Sequence, residues 1–129
     1  MADSAFVLAR GFDADAAITK NRAVKLTTDE TEVTPITGVT DIAVGIAEFD
    51  CSAADILKGK GVSVIMMGIA VMEASEAITA GQLVSCTANG RAQVAASAER
   101  LVGLCVGNPA GGSGEQISVL LSLPGTILV

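Results

Sequence analysis

With 129 residues, the chain has the size of a single domain, and half of its residues are hydrophobic although it has three Phe, no Trp and no Tyr. Only 17% of the residues are charged, against roughly one quarter in typical soluble domains, so we expect part of the surface to be covered by other protein. The formal charge of −6 predicts repulsion from nucleic acid. The absence of histidine excludes a Ser-His-Asp or Cys-His catalytic device and any imidazole metal ligand from this chain.

The cysteines and the apolar runs indicate where the chain folds. Cys51, Cys86 and Cys105 are odd in number, have no CxxC spacing and lie among small apolar residues, so we expect reduced, buried thiols and folding in the cytoplasm. The N-terminus lacks the basic start and long apolar centre of a signal peptide. The longest apolar run, residues 62–72, is too short to cross a bilayer as a helix, and we predict a soluble protein without a membrane partner.

Residues 1–17 keep neither a helical nor a strand period and are expected to form an extended N-terminal arm. Two of the three Phe lie in this segment, which is an unfavourable place to leave them in water. We therefore predict that the arm contacts a neighbouring chain through its apolar residues, Phe6, Val7, Leu8 and Phe12. A frayed terminus is the alternative.

Short strands are predicted after the arm. Residues 23–36 have the alternation and polar centre of a β-hairpin, and Pro35 places the return strand at a sheet edge because it lacks an N–H donor. Residues 41–49 are rich in β-branched side chains and predict a further strand. Residues 50–61 predict a helical turn or a tight connection, since Ser52 is followed three residues later by an aspartate, as in a capping box.

The run at residues 62–72, VSVIMMGIAVM, is apolar at nearly every position. A strand with one solvated face alternates apolar and polar side chains, so both faces of this strand are expected to be covered. We predict that Val64, Ile65, Met66 and Met67 pack against another subunit. The alternative is a central strand covered on both faces by its own chain.

The second half repeats the pattern of short strands. Asn89 and Gly90 predict a two-residue type I′ turn, with residues 82–87 pairing antiparallel to residues 91–95. The glycine-rich segment GNPAGGSG at residues 107–114 lacks the Lys-Ser/Thr ending of a phosphate-binding loop and is expected to be a plain connection. Further strands are expected at residues 101–106, 115–123 and 126–129.

The two halves of the chain resemble each other. AVGIAEFD in the first half corresponds to LVGLCVGN in the second, and Gly45 and Gly103 occupy matching places where a barrel strand bends. We therefore predict an all-β fold in which degenerate half-repeats at about residues 18–72 and 77–129 close a single antiparallel barrel or sandwich over residues 18–129.

The sequence predicts no catalytic, cofactor or metal site. Its carboxylates cluster at positions expected in turns, the arm or strand ends, and neither aromatic nor basic residues gather beside them to perturb a pKa. We interpret them as solvated surface charge. The expected protein is therefore not an enzyme and has neither a cofactor nor a small-molecule substrate.

The succession AITAGQLV, CTANGRAQVA, RLVGLCVG and GEQISVLLSLPG resembles the C-terminal portion of bacteriophage capsid decoration proteins, also called cement proteins. The half-repeat from Ile18 to Met72 is similar to their N-terminal portion. This resemblance implies a β-barrel or β-tulip-like domain, a homotrimer on the outer surface of an icosahedral head, and the major capsid protein as partner. Such proteins often grip the capsid with a terminal extension, although residues 1–17 contain no motif that matches one. The resemblance also implies that the protein, made in the host cytoplasm, resides in the virion.

Two other functions remain open from the sequence. One is a lid-like β-barrel domain of a cytoplasmic enzyme complex, which predicts a monomer when alone. The other is a component of the phage tail or of head completion, which predicts rings of other symmetry. The oligomeric state in solution distinguishes all three.

Overall fold

A computed structural model describes residues 5–29 and 31–128, with side chains from residue 8 onward. The protein is nearly all β, as predicted, with one short helix among the described residues. The elements are β1 (Ala5–Ala14), β2 (Ala23–Leu26), β3 (Glu32–Pro35), β4 (Gly45–Ala47), α1 (Ala53–Leu57), β5 (Val62–Glu73), β6 (Leu83–Cys86), β7 (Ala92–Val94), β8 (Leu101–Gly107) and β9 (Gln116–Leu121).

Helix α1 confirms the capping box expected in residues 50–61. The Ser52 hydroxyl accepts the Asp55 backbone N–H at 3.1 Å, and the Asp55 carboxylate accepts the Ser52 N–H at 3.0 Å. The two contacts satisfy N–H groups that a helix start otherwise leaves unpaired. Gly59, at φ +77°, follows the helix and allows the chain to turn into β5.

Nine strands form one sheet in the order β1-β3-β2-β4-β5-β9-β8-β6-β7. A further pairing of β1 with β5 closes the first five of these strands into a barrel. The strands β9, β8, β6 and β7 continue from the other end of β5 and curl over the barrel. The long strand β5 is therefore shared by both parts of the fold.

Strand β1 closes the barrel by pairing antiparallel with β5, from Ala5 opposite Ile69 to Phe12 opposite Val62, with bulges on either side of Leu8. The sequence placed residues 1–17 in an arm outside the barrel. The described part, Ala5–Ala14, is extended as expected, but it is itself a barrel strand. The pairing of β1 with β5 joins residues that are far apart in the sequence. The irregular pattern of residues 1–17 therefore did not indicate a strand.

The predicted antiparallel barrel contains one parallel pair, in which Asp13 and Ala14 of β1 lie beside Glu32 and Val33 of β3. Strand direction can alternate all the way round a closed ring only if the number of strands is even. With five strands, one neighbouring pair must run in the same direction. The parallel pair is thus a consequence of the strand number.

The strand order confirms the internal duplication. The first half runs β3-β2-β4-β5 and the second runs β7-β6-β8-β9, so the halves have the same order and meet at the β5–β9 pair. Gly45 and Gly103 are equivalent in detail as well. A Cβ on Gly45 would collide with the carbonyl oxygen of Ile65, and a Cβ on Gly103 would collide with that of Leu120.

The hairpin predicted at Asn89 and Gly90 is present, with Val84 opposite Val94. A type I′ turn requires a positive φ at both central residues. Gly90 has φ +81°, but the φ of Asn89 is not positive, so the turn is of another type. A wider turn is closed by the Gly90 N–H, which donates to the Thr87 carbonyl at 3.0 Å. The Gly90 carbonyl accepts the N–H of Ala23 at 2.9 Å. This hydrogen bond joins the wider turn to the start of β2.

Two predicted strands are shorter than expected or absent. Within residues 41–49 only β4 is a strand, because the Asp41 carboxylate accepts the N–H groups of Thr37 and Gly38 and holds that part of the chain in a loop. Among the described residues of the segment 126–129, Ile127 forms only an isolated bridge with Arg100.

The interior consists of two hydrophobic cores on opposite sides of β5. One core, inside the barrel, contains Phe12, Val24 and Val64. The other, between the barrel and the curled sheet, contains Ile65 and Met72. The three cysteines are buried without a disulfide, as predicted, and they lie in these cores.

Candidate interaction surfaces

The apolar residues of the N-terminal segment have different environments. Phe12 is buried in the barrel core with 4% of its surface exposed, and the guanidinium of Arg10 lies 4.8 Å from its ring centroid. Phe12 therefore packs inside its own chain, and the expected contact with a neighbour is not open to it. The side chains of Phe6 and Val7 lie outside the described residues.

Leu8 remains at the surface with 43% of its area exposed. Its partner across the β1–β5 ladder is Met67, which is 50% exposed. The structure thus brings together one residue expected in a contact arm and one expected in a subunit-packing strand. The bulges on either side of Leu8 interrupt the regular hydrogen-bonded pairing of β1 with β5 at this point.

The apolar run of β5 is covered largely by its own chain. Val64 faces the barrel core, Ile65 faces the other core, and Met66 packs partly buried against the barrel core. Val64 and Ile65 are therefore covered by their own chain, as in the alternative of a central strand, whereas Met66 keeps part of its surface exposed. Packing of this strand against another subunit stays a prediction. The chain is long enough to form two cores because most of its apolar residues are small. Each core is therefore filled by a thin layer of side chains.

A row of outward-facing apolar side chains crosses four strands. Ile69 of β5 lies opposite Leu120 of β9, Leu120 lies opposite Leu104 of β8, and Leu104 lies opposite Leu83 of β6. Directly opposed residues in a sheet share a face, so the four side chains form one continuous row. We call Ile69, Leu83, Leu104 and Leu120 the outer row.

The outer row is uncovered within the described chain. Leu83 is 40% and Leu120 is 45% exposed, and the other two are half-buried. On each strand, the residues two positions before and after the row residue are Gly, Ser, Val or Met, so none is charged. Sequence reasoning missed this surface, although consecutive apolar positions in β8 and β9 were a sign that both faces of these strands avoid water.

A second apolar surface is a groove of about 580 Å³ near the C-terminal turn, bordered by Leu26, Ile42 and Pro124. Its wall includes an ion pair of Lys25 Nζ and Asp41 Oδ2 at 2.9 Å. The Lys25 ammonium, with help from backbone N–H donors, lowers the pKa of Asp41 to about 2. This groove therefore combines apolar walls with fixed charge.

Glu73 was predicted to be a solvated charge, but it is held by two arginines. Arg91 Nε lies 2.7 Å and Arg22 Nη2 lies 3.5 Å from its carboxylate oxygens. Arg91 Nη2 also donates to the Ala74 carbonyl at 2.9 Å and to the Ser113 hydroxyl at 2.6 Å. The glutamate thus connects β5 with the starts of β2 and β7 and, through Arg91, with the glycine-rich loop at 107–114.

The carboxylates and cysteines of the described residues are dispersed over the fold. Among residues 5–29 and 31–128, no three His, Cys, Asp or Glu side chains are grouped so that they could hold a metal ion. The loop at 107–114 is occupied by contacts to its own chain, such as Asn108 Nδ2 donating to the Gln116 carbonyl. Within the same described part of the chain, no helix has both the length and the apolar character to cross a membrane.

Comparison with known proteins indicates a family and a fold. A family model described as phage cement protein matches residues 7–121. The chain is similar in structure to the head fiber gp8.5 N base in bacteriophage phi29, with 15% sequence identity and a TM-score of 0.66. The alignment covers 89% of this chain and 93% of that chain, and at this identity the likeness shows the fold alone. No curated protein sequence matches the chain.

Proposed function

Because the chain belongs to the phage cement protein family, a family of structural rather than catalytic proteins, we propose that it decorates the outside of an icosahedral phage head as a homotrimer. In this role it binds the major capsid protein and stabilises the lattice of the shell. It is made in the host cytoplasm and resides on the exterior of the virion. The observation that carries the proposal is the family match, which spans both halves of the fold.

The charge of the chain supports a position outside the shell. With a formal charge of −6, the protein is repelled by packaged DNA, so it is better placed outside the capsid wall than inside. The low content of charged residues also agrees with a surface that is partly covered by other protein. A lid domain of an enzyme, which the sequence left open, draws no support from the family match.

Stabilisation follows from binding only the assembled lattice. A protein that binds the shell but not the free capsid subunits shifts the assembly equilibrium towards the shell by mass action. A trimer offers three linked contacts, so each contact is allowed to be weak while the whole remains bound. The protein needs neither chemistry nor a cofactor for this role.

The experiment compares purified heads that lack this protein with the same heads after addition of the purified full chain. We expect decorated heads to release their DNA at a higher temperature and to resist low salt better than bare heads. Imaging of the decorated particles should show added density on the outer surface with three-fold shape. Equal rupture temperatures at saturating protein, or density inside the shell, would contradict the proposal.

A further inference from the structure

The Asn89–Gly90 pair joins a chemically labile sequence to a position that requires glycine. Gly90 has φ +81°, and a Cβ there would lie 2.7 Å from the carbonyl oxygen of Ala23. Asn89 is exposed to water. Because glycine has no side chain, its peptide nitrogen is the least hindered nucleophile for the amide of a preceding asparagine. The fold therefore fixes the residue that makes Asn89 reactive.

The reaction available to this pair is deamidation. The peptide nitrogen of Gly90 loses its proton and bonds to Cγ of Asn89, while the bond from Cγ to Nδ2 breaks and Nδ2 leaves with that proton as ammonia. Water then adds to either carbonyl of the resulting cyclic imide and opens the ring. The product is aspartate or, when the ring opens at the backbone carbonyl, isoaspartate. Both products add a negative charge, and isoaspartate also adds a methylene to the main chain.

The folded turn opposes ring closure. The Gly90 nitrogen reaches Cγ of Asn89 only if the peptide group between the two residues rotates. The Gly90 N–H donates to the Thr87 carbonyl at 3.0 Å, and the Gly90 carbonyl accepts the Ala23 N–H at 2.9 Å. The Thr87 hydroxyl donates to Oδ1 of Asn89. These hydrogen bonds hold both reacting groups in the geometry of the turn.

The ion-pair cluster at Glu73 reinforces the hydrogen bond between the turn and β2. Arg22 directly precedes Ala23, and Arg91 directly follows Gly90. Arg22 Nη2 lies 3.5 Å and Arg91 Nε lies 2.7 Å from the carboxylate oxygens of Glu73. One carboxylate thus holds the neighbours of both residues that form the hydrogen bond.

From this geometry we propose that Asn89 is a deamidation site, which the folded turn keeps unreactive and which local opening of the turn releases. Opening breaks the hydrogen bond between Gly90 and Ala23 and frees the peptide nitrogen to attack. Isoaspartate lengthens the main chain beside Gly90, so a converted turn no longer fits against β2. The modification therefore loosens a contact between the two halves of the fold. It does not depend on the proposed cement role.

The test follows deamidation of the purified full chain in mildly alkaline buffer, with and without urea. Mass spectrometry of peptides detects the replacement of the amide by a carboxylate, and chromatography separates aspartate from isoaspartate. We expect Asn89 to convert in urea and to convert at least about tenfold more slowly in the folded chain.

Two variants test the role of the Glu73 cluster. Folded Glu73→Gln should convert Asn89 about fivefold faster than folded wild type, or more, because the turn opens more often. Lys60→Ala removes an exposed ion pair away from the turn and is the matched control, which should convert like wild type. Circular dichroism checks the fold of each variant. If Glu73→Gln fails to fold, Arg22→Gln, which removes only the longer ion pair, takes its place.

The other asparagines of the chain are internal controls. Asn21 precedes Arg22, whose side chain hinders attack, and Asn108 precedes Pro109, whose nitrogen has no proton to lose. Both should convert far more slowly than Asn89 in urea. Equal conversion of Asn89 with and without urea would overturn the protection by the turn. An unreactive Asn89 in urea, or an Asn108 that reacts as fast, would overturn the site, and a Glu73→Gln rate equal to wild type would overturn the role of the contact with β2.

Discussion

Glu73 and Arg91 join the two halves of the fold by an ion pair in which Nε lies 2.7 Å from Oε2. Arg22 approaches the other carboxylate oxygen of Glu73 at 3.5 Å. The side chains of all three residues are less than one-third exposed, so solvent screens this cluster only partly. The cluster is located where β5, shared by both halves, ends.

Replacing Glu73 is expected to destabilise the protein. Glu73→Gln keeps the shape but removes the negative charge, which leaves two partly buried guanidinium groups close together without a counter-charge. We expect a loss of about 1–3 kcal/mol in the free energy of unfolding, measured by urea denaturation. Lys60→Ala removes an exposed ion pair at 3.7 Å and is the control, with an expected change below about 0.5 kcal/mol. A Glu73→Gln variant as stable as wild type would show that the charge of Glu73 makes no net contribution to the free energy of unfolding.

The equivalent glycines of the two halves give a second prediction. Gly45→Ala and Gly103→Ala each place a methyl group against a backbone carbonyl, of Ile65 and Leu120 respectively, and backbone cannot move aside as a flexible side chain can. We expect each variant to lose about 1–3 kcal/mol or to fail to fold.

Gly11→Ala is the matched control for these two variants. Gly11 lies in β1, a Cβ there would meet nothing within 4 Å, and its φ is not positive. Its thermal midpoint should equal or slightly exceed that of wild type. If all three alanine variants lose the same stability, close packing of Gly45 and Gly103 is not the reason these positions are glycine.

The equivalent glycines and the hairpin at Gly90 illustrate what could be predicted from the sequence. The duplication and the matched positions of Gly45 and Gly103 were predictable because each half carries the same local pattern. A hairpin around Gly90 was predictable because Asn-Gly favours a tight turn. Its turn type and register were not. A two-residue turn would place Cys86 opposite Gln93, whereas the wider turn places Cys86 opposite Ala92, and the Gly90 carbonyl accepts the N–H of Ala23 from a distant strand.

The surface was harder to predict than the core. The outer row takes one residue from each of four strands, so it exists only once the registers of three strand pairs are known. The barrel role of β1 was hidden because bulges beside Leu8 break the alternation that identifies a strand. The coverage of Val64 and Ile65 was left open, since a continuous apolar run does not reveal what covers it.

Asp41 gives a prediction about pH. Its folded-state pKa of about 2 is below the ordinary value of 3.8, so between these values the unfolded chain binds more protons than the folded one. The stabilising contribution of Asp41 is therefore fully present above pH 4 and is lost as the pH falls towards 2. We expect the difference in unfolding free energy between wild type and Asp41→Asn to shrink over this window.

The measurement is urea denaturation of both proteins at pH 5, 4, 3 and 2. Asp29 and Asp55 also have lowered pKa values, through hydrogen bonds from Thr31 and Ser52 respectively, and they destabilise both proteins alike in acid. Their effect cancels in the difference. A difference that stays constant from pH 5 to pH 2 would mean that the Lys25–Asp41 pair does not lower the pKa in solution.

Deletion of residues 2–12 tests whether β1 is required for the barrel. The deletion removes Phe12 from the core and leaves the β5 edge from Val62 to Ile69 without its partner. We expect a chain that does not fold cooperatively and tends to aggregate, because an unpaired apolar strand edge recruits other chains. Leu8→Ser, which changes one exposed side chain of the same strand, should fold like wild type. Circular dichroism and cooperative thermal unfolding distinguish the two variants. A deletion variant that folds and melts like wild type would mean that residues 2–12 are a dispensable arm and that the remaining four strands close without them.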